Sequence, residues 1–289
     1  MNYQFEAGVE QAKKLDQADP LGHFRDRFYL NEGEIYMDGN SLGLCSKDAE
    51  AAVLKMLEIW KDNGINMWGI ENGKYFLYPS YLGGLLSGLI GADPNEVTVT
   101  NSTTINIHQC LATFYQPKSG RDKILVDDLN FPTDRHAVDS QVLLHGLKPE
   151  EAIRVVQSAD GRTIDEEAVI AAMTDDVAVA LLPSVLYRSA QLLDMDRLTA
   201  AARSKGIIMG WDLCHSIGAV PHNLKQTGAD FAIWCNYKHL SGGPGAVAGL
   251  YINRRHFGRR PGRAGWHGNV QDTLFQLHHQ HSPSHDRDG

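Results

Sequence analysis

Apolar residues along this chain fall into two kinds of run. Short apolar or alternating stretches occur at 96–100, 123–127, 177–182, 206–211, 230–234 and 246–252. Each is too short for a stable helix and is bounded by turn-forming residues, which predicts strands. Longer amphipathic stretches lie between and before them. Ile105, Ile107, Leu111 and Phe114 predict a helix, and 192–205 reads as a crossover helix capped near Asp194. Two further helices are expected at about 48–62 and 75–90. Strand and helix alternate from Val97 to Ile252, the pattern of an α/β fold with a mostly parallel sheet and helices on both faces. The expected organisation is an N-terminal arm at 1–44, a large domain at 45–260 and a separate tail at 261–289, with no internal repeat.

Composition narrows the function classes. The chain has 289 residues, 43% of them hydrophobic, enough for a large core in one or two domains. A net charge of −8 argues against a general nucleic-acid surface. No apolar run approaches a membrane span, and the longest stretch considered, 177–182, ends at Pro183. Cys45, Cys110, Cys214 and Cys235 form no C-x-x-C pair, so neither a zinc ribbon nor a disulfide framework is indicated. They fit a reducing compartment, and the opening Met1 to Phe5 has no basic and apolar signal character, so a cytoplasmic location is expected. The histidine-rich stretch 278–285 suggests a metal site, but it lacks ligand spacing and acidic partners, and no metal is expected.

Lys238 carries the strongest chemical signal. It follows Trp234-Cys235-Asn236-Tyr237 and precedes a glycine- and proline-rich turn, between two predicted strands. A buried lysine is costly without a partner or a task. One task is a Schiff base, since burial lowers an ammonium's pKa and frees the amine as a nucleophile. The other reading is an exposed lysine in a surface turn. An aldehyde that uses such a lysine is pyridoxal 5′-phosphate (PLP), which also needs an acid at its ring nitrogen, a stacking surface and a phosphate cradle. Asp212 follows the predicted strand 206–211 and suits the first need, or else caps a following helix. Asn101-Ser102-Thr103-Thr104 joins a strand to a helix N-terminus, an anion-binding arrangement that any capped helix also resembles. Phe131 stands before Pro132, which suits a first helical turn. It could lie on a pyridine ring or be an ordinary core aromatic.

Phe131-Pro132-Thr133-Asp134, Asp212-Leu213-Cys214-His215, Trp234-Cys235-Asn236-Tyr237-Lys238 and Gly265-Trp266-His267-Gly268 resemble, in order and spacing, the motifs of kynureninases. Asn40-Ser41-Leu42-Gly43 resembles that family's N-terminal signature. The resemblance implies the fold-type-I PLP architecture, with a seven-stranded type of sheet, and a homodimer. It implies hydrolysis of the Cβ–Cγ bond of L-kynurenine or 3-hydroxykynurenine, in tryptophan catabolism and NAD biosynthesis. The products are anthranilate or 3-hydroxyanthranilate and L-alanine. Lys238 would hold PLP and move the α-proton, and Tyr237 would donate a proton. Asp212 would face the pyridine nitrogen, His215 would lie near O3′, and Phe131 would stack on the ring. Pro132, Thr133 and Asp134 would sit beside it. Thr103 and Thr104 would bind phosphate with Tyr237 and Trp266, and Ser41 and Trp266 would border the substrate. Ser184 falls near a further cofactor contact of the family. Family members continue into a C-terminal small domain that clamps the substrate carboxylate. The segment 261–289 therefore reads as the start of that domain, truncated, or as an irregular tail. Two other readings remain. Cysteine desulfurases usually place His before the lysine and Gln after Asp-x-x, where this chain has Tyr237 and His215. A non-catalytic remnant would keep the fold without turnover.

Overall fold

The computed structural model describes residues 8–284, so Met1 to Phe5 and His285 lie outside the described residues. Seven strands form one sheet: β1 (Val97–Val99), β2 (Lys123–Asp127), β3 (Ile153–Val156), β4 (Val177–Pro183), β5 (Ile208–Asp212), β6 (Phe231–Trp234) and β7 (Gly249–Ile252). Their spatial order is β1-β7-β6-β5-β4-β2-β3. The strands β2 to β6 run parallel, and β7 is antiparallel to both β6 and β1. The helices that matter below are α1 (Val9–Ala18), α2 (Lys47–Asn63), α3 (Tyr78–Ile90), α4 (Thr103–Phe114), α5 (Pro132–Leu144), α6 (Pro149–Ala152), α7 (Glu166–Ala172) and α8 (Met195–Ser204).

The expected α/β class is what the chain adopts, and the period-two alternation of the strands explains its two cores. Ile124, Val126, Val179, Leu181, Phe231 and Ile233 face one side and pack with Ile107 and Leu111 of α4 and Val138 and Val142 of α5. Leu125, Ala180, Leu182, Trp211, Ala232 and Trp234 face the other and pack with Ile90 of α3, Val169 of α7 and Leu198 and Ala202 of α8. Buried on both faces, the parallel strands read as continuous apolar runs. All six predicted strands are present, with ends shifted by up to three residues. Asp194 caps α8 as expected, its carboxylate accepting from the Arg197 N–H at 3.0 Å. The sequence reading did not identify β3 or α7. The edge strand β3 has two half-exposed central residues, and α7 is only seven residues long.

Topology determines where a ligand can bind. The carboxyl ends of β2, β4, β5 and β6 point the same way, and each is followed by a connection that carries polar residues. Open α/β sheets gather their ligands at that edge. No helix among the described residues is long and apolar enough to cross a membrane.

The α3–β1 contact tests the packing. A Cβ on Gly83 of α3 would lie 2.2 Å from the Val97 carbonyl oxygen, whereas one on Gly88 of the same helix meets nothing within 4 Å. Gly83→Ala is expected to cost about 1–3 kcal/mol through overpacking. Gly88→Ala is expected to be neutral or to gain about 0.5–1 kcal/mol from helix propensity. Thermal unfolding of both variants reads the difference, and equal melting temperatures would contradict the close approach.

Candidate active site

Lys238 lies in the turn after β6 and is only 8% exposed, which excludes the surface-turn reading. Its loop is closed by the Gly242 N–H donating to the Asn236 carbonyl at 2.8 Å and the Ser241 N–H donating to the Lys238 carbonyl at 2.9 Å. The N-terminal signature holds the loop from outside. The Gly43 N–H donates to the Tyr237 carbonyl at 2.8 Å, and a Cβ on Gly43 would fall 2.2 Å from the Lys238 oxygen. Glycine is therefore required at that approach.

Lys238 Nζ is 2.9 Å from His215 Nε2 and 5.5 Å from the centre of the Phe131 ring. Burial first, and the Lys238 charge second, push the His215 pKa down to about 4. The ring is then neutral at pH 7, and its Nε2 accepts from the lysine. The proton of that tautomer sits on Nδ1, which is buried with no partner. An orphaned buried donor is a position where a ligand atom would be stabilised.

Asp212 ends β5 and is 3% exposed. It does not cap a helix. Its Oδ1 accepts from the Cys214 N–H at 2.7 Å, in a turn that folds the chain toward His215. Asp134, in the first turn of α5, is equally buried and accepts from Asn130 Nδ2 at 2.7 Å. Burial raises both carboxyls, and the repulsion between them raises Asp134 further. The upward push is the greater at Asp134, so a proton held by this pair belongs to Asp134. Asp212 is left as the charged member.

The helix α4 begins at the same edge. Ser102 accepts from the Ile105 N–H at 3.4 Å as its N-cap. Thr103 Oγ1 accepts a long contact from Cys214 Sγ at 3.9 Å, and Thr104 Oγ1 lies 3.3 Å from Thr133 Oγ1. Thr103, Thr104, Phe131, Thr133, Asp134, Asp212, His215, Tyr237 and Lys238 all line one cavity of about 150 Å³. Phe131 is 44% exposed and so is not a core aromatic. A larger cavity of about 360 Å³ lies between α4, β7 and the 261–274 segment, but its lining includes none of these residues. The chemistry of the lining, rather than the size, selects the smaller cavity.

Four predicted residues stand elsewhere. Pro132 is the first residue of α5 and supports the turn without lining the cavity. Ser41 donates to Asp38 Oδ1 at 2.7 Å, and its segment touches the Lys238 loop through Gly43. Trp266 donates to the Leu274 carbonyl at 2.8 Å and packs with Phe76, His267 and Phe275. The segment around it is tied to α4, since the Gly262 N–H donates to Thr113 Oγ1 at 3.1 Å. Ser184 is buried behind Asp212, donating to its carbonyl at 3.1 Å and contacting Ser216 Oγ at 2.6 Å. Sequence reasoning missed Cys214, Cys235, Ala246 and Ala248 in the lining. It also missed Tyr187, whose ring meets those of Phe131 and His215. Cys214 and Cys235 lay inside quoted motifs, but only strand register shows that they meet. Among the described residues no three His, Cys, Asp or Glu side chains gather as a metal-ligand set.

The lining suits PLP: a buried amine, a charged carboxylate, an exposed aromatic face, threonine hydroxyls at the starts of α4 and α5 and an unpartnered ring nitrogen. Comparison with known proteins agrees. The chain is 52% identical over 279 residues to the kynureninase of Geobacillus thermodenitrificans and 54% identical over 275 residues to that of Bacillus anthracis. These alignments cover 95–96% of this chain and 64–65% of the relatives. Among solved structures it resembles a mutant of C-DES with glycine covalently linked to the PLP cofactor, at a TM-score of 0.77, 18% identity and coverage of 91% of this chain and 68% of that one. It also resembles the apo cysteine desulfurase of Thermococcus onnurineus NA1, at a TM-score of 0.71, 17% identity and coverage of 92% and 65%. At those identities the likeness concerns the fold alone. Residues 85–282 match the family described as aminotransferase class-V, and the chain belongs to that family.

Proposed function

We propose that this chain carries the PLP-dependent hydrolysis of L-kynurenine or 3-hydroxykynurenine, as a kynureninase. The observation that carries the reading is the buried amine of Lys238, set between Phe131 and His215 in one cavity with Asp212 and Asp134. The identity of more than half to curated kynureninases supports the substrate class. A cysteine desulfurase is the weaker reading, because its support is likeness of fold alone.

In this proposal PLP, when bound, supplies an electron sink for the pair released at the substrate α-carbon. The residues of the chain do the rest. Lys238 Nζ holds the cofactor and then carries the α-proton. Asp212, kept charged by the proton on Asp134, holds a positive ring N–H. Phe131 offers its ring as the stacking face. Thr103, Thr104 and Thr133, with the free N–H groups at the start of α4, hold the phosphate. The neutral His215 donates from Nδ1 to a ligand oxygen. Burial raises the Tyr237 pKa to about 12, so its phenol stays protonated and can serve as a proton donor. A homodimer belongs to the same proposal. Its support is α2, which has no buried residue and exposes Val53, Leu54, Leu57 and Trp60.

The test is the visible spectrum of the purified chain with PLP, before and after L-kynurenine, alongside Lys238→Ala and Tyr237→Phe. A band that needs Lys238, shifts with kynurenine and is followed by fluorescent anthranilate is the expected result, from a preparation that sediments as a dimer. Tyr237→Phe should keep the band and lose about a hundredfold or more in turnover. A Lys238-dependent band without anthranilate would refute the hydrolase reading, unchanged turnover in Tyr237→Phe would refute its donor role, and a monomer would refute the dimer.

The carboxyl pair predicts a pH dependence. The folded-state pKa of Asp134 is raised above its unfolded value. The folded state therefore binds the extra proton, and the stability this brings is lost as pH rises through the folded pKa. Asp134→Asn mimics the protonated form and removes that loss. Its melting temperature, relative to the unsubstituted chain, should rise steadily from pH 4 to pH 8. A difference that stays constant across this range would contradict the raised Asp134 pKa.

A further inference from the structure

Cys214 and Cys235 are buried nucleophiles that the proposed reaction does not use. Asp212 pairs with Ile233 across the parallel strands β5 and β6. Two residues further on, the same register brings Cys214 beside Cys235 at the carboxyl edge. The Cys235 N–H donates to Cys214 Sγ at 3.2 Å, and the Cys214 thiol in turn reaches Thr103 Oγ1 at 3.9 Å. Neighbouring strands lie about 4.8 Å apart, inside the roughly 4.4–6.8 Å between Cα atoms that a disulfide spans. Both sulfurs are unlinked, and both residues line the cavity that holds Lys238 and Asp212. Cys45 and Cys110 are outside that lining and serve as internal controls.

We propose that Cys214 and Cys235 are a modification site at which a hydroperoxide forms an intramolecular disulfide that disables the cofactor site. Cys235 is the first nucleophile. The contact with Cys214 lowers its pKa, whereas the same contact and burial raise that of Cys214. The thiolate attacks one peroxide oxygen, the O–O bond breaks, and the departing oxygen leaves as water with the thiol proton. Cys235 is now a sulfenic acid. Cys214 Sγ attacks that sulfur, the S–O bond breaks, and the hydroxyl leaves as water with the Cys214 proton. Two thiols and one hydrogen peroxide give one disulfide and two waters, and the thiols lose the two electrons that the peroxide gains.

The consequence for the site follows from the neighbours. The Cys214 N–H orients Asp212 through its 2.7 Å bond, His215 is the next residue, and Lys238 is three residues beyond Cys235. Joining the sulfurs ends the contact of Cys214 Sγ with the Cys235 N–H and shifts both turns. The inference does not depend on the substrate, because the thiols can be mapped without it.

The experiment uses the reduced, purified chain, near-stoichiometric hydrogen peroxide, alkylation and tryptic mapping. Lys225 separates the two cysteines into different peptides. The expected result is one linked pair of peptides containing Cys214 and Cys235, with Cys110 still free, and full reversal by a thiol reductant. Affinity for added PLP should fall about tenfold or more in the oxidised chain and recover on reduction. In Cys214→Ser, dimedone should trap a sulfenic acid on Cys235. The proposal is overturned if both thiols stay alkylatable in the unsubstituted chain, or if each oxidises separately to a sulfinic acid. It is equally overturned if the linked peptides form with PLP affinity unchanged. The map of the unsubstituted chain decides the question even if the variant fails to fold.

Discussion

The site depends on the parallel register of β5 and β6. Asp212 stands opposite Ile233, so the turn after each strand opens at the same edge, one carrying His215 and the other Lys238. Neither turn alone could hold a lysine at 8% exposure. The His215 ring receives the amine, Phe131 covers it, and the Gly43 segment pins its backbone. Burial lowers the pKa of His215 and raises those of Asp134 and Asp212, so one low-dielectric edge sets all three protonation states. Perturbed groups gathered in a cleft are the usual physical signature of a functional site.

Around that edge the chain spends its polar groups unevenly. Ser102 caps the start of α4, Thr103 and Thr104 turn to the cavity lining, and Asn130 donates to Asp134. Ser184 and Ser216 fix the Asp212 backbone from behind. His215 Nδ1 is left unpaired. A site whose supporting contacts are complete and whose inner nitrogen is not suits a ligand that brings its own acceptor.

Local signals were legible in the sequence where chemistry and position coincided. The lysine between two strands, the Asp at a strand end and the threonines at a helix start each carry their own sign, and all line the cavity. The apolar runs revealed the α/β class because buried parallel strands leave little else to read. Properties that depend on distant pairing were not legible. Asp134 reads as a dipole-favouring residue in a first helical turn, and only the fold brings it against Asp212. The meeting of Cys214 with Cys235 exists only in the register. Ser41 and Trp266 belong to segments whose placement rests on long-range contacts, and neither lines the cavity. The strand β3 and the helix α7 were too short to announce themselves.

The central claim is that the fold prepares the Lys238 amine to hold PLP covalently. The most direct measurement is borohydride reduction of the chain incubated with PLP, followed by peptide mapping of the stable adduct. The account predicts a pyridoxyl label on Lys238 and on no other lysine. A label on a different lysine, or none on Lys238, would contradict it.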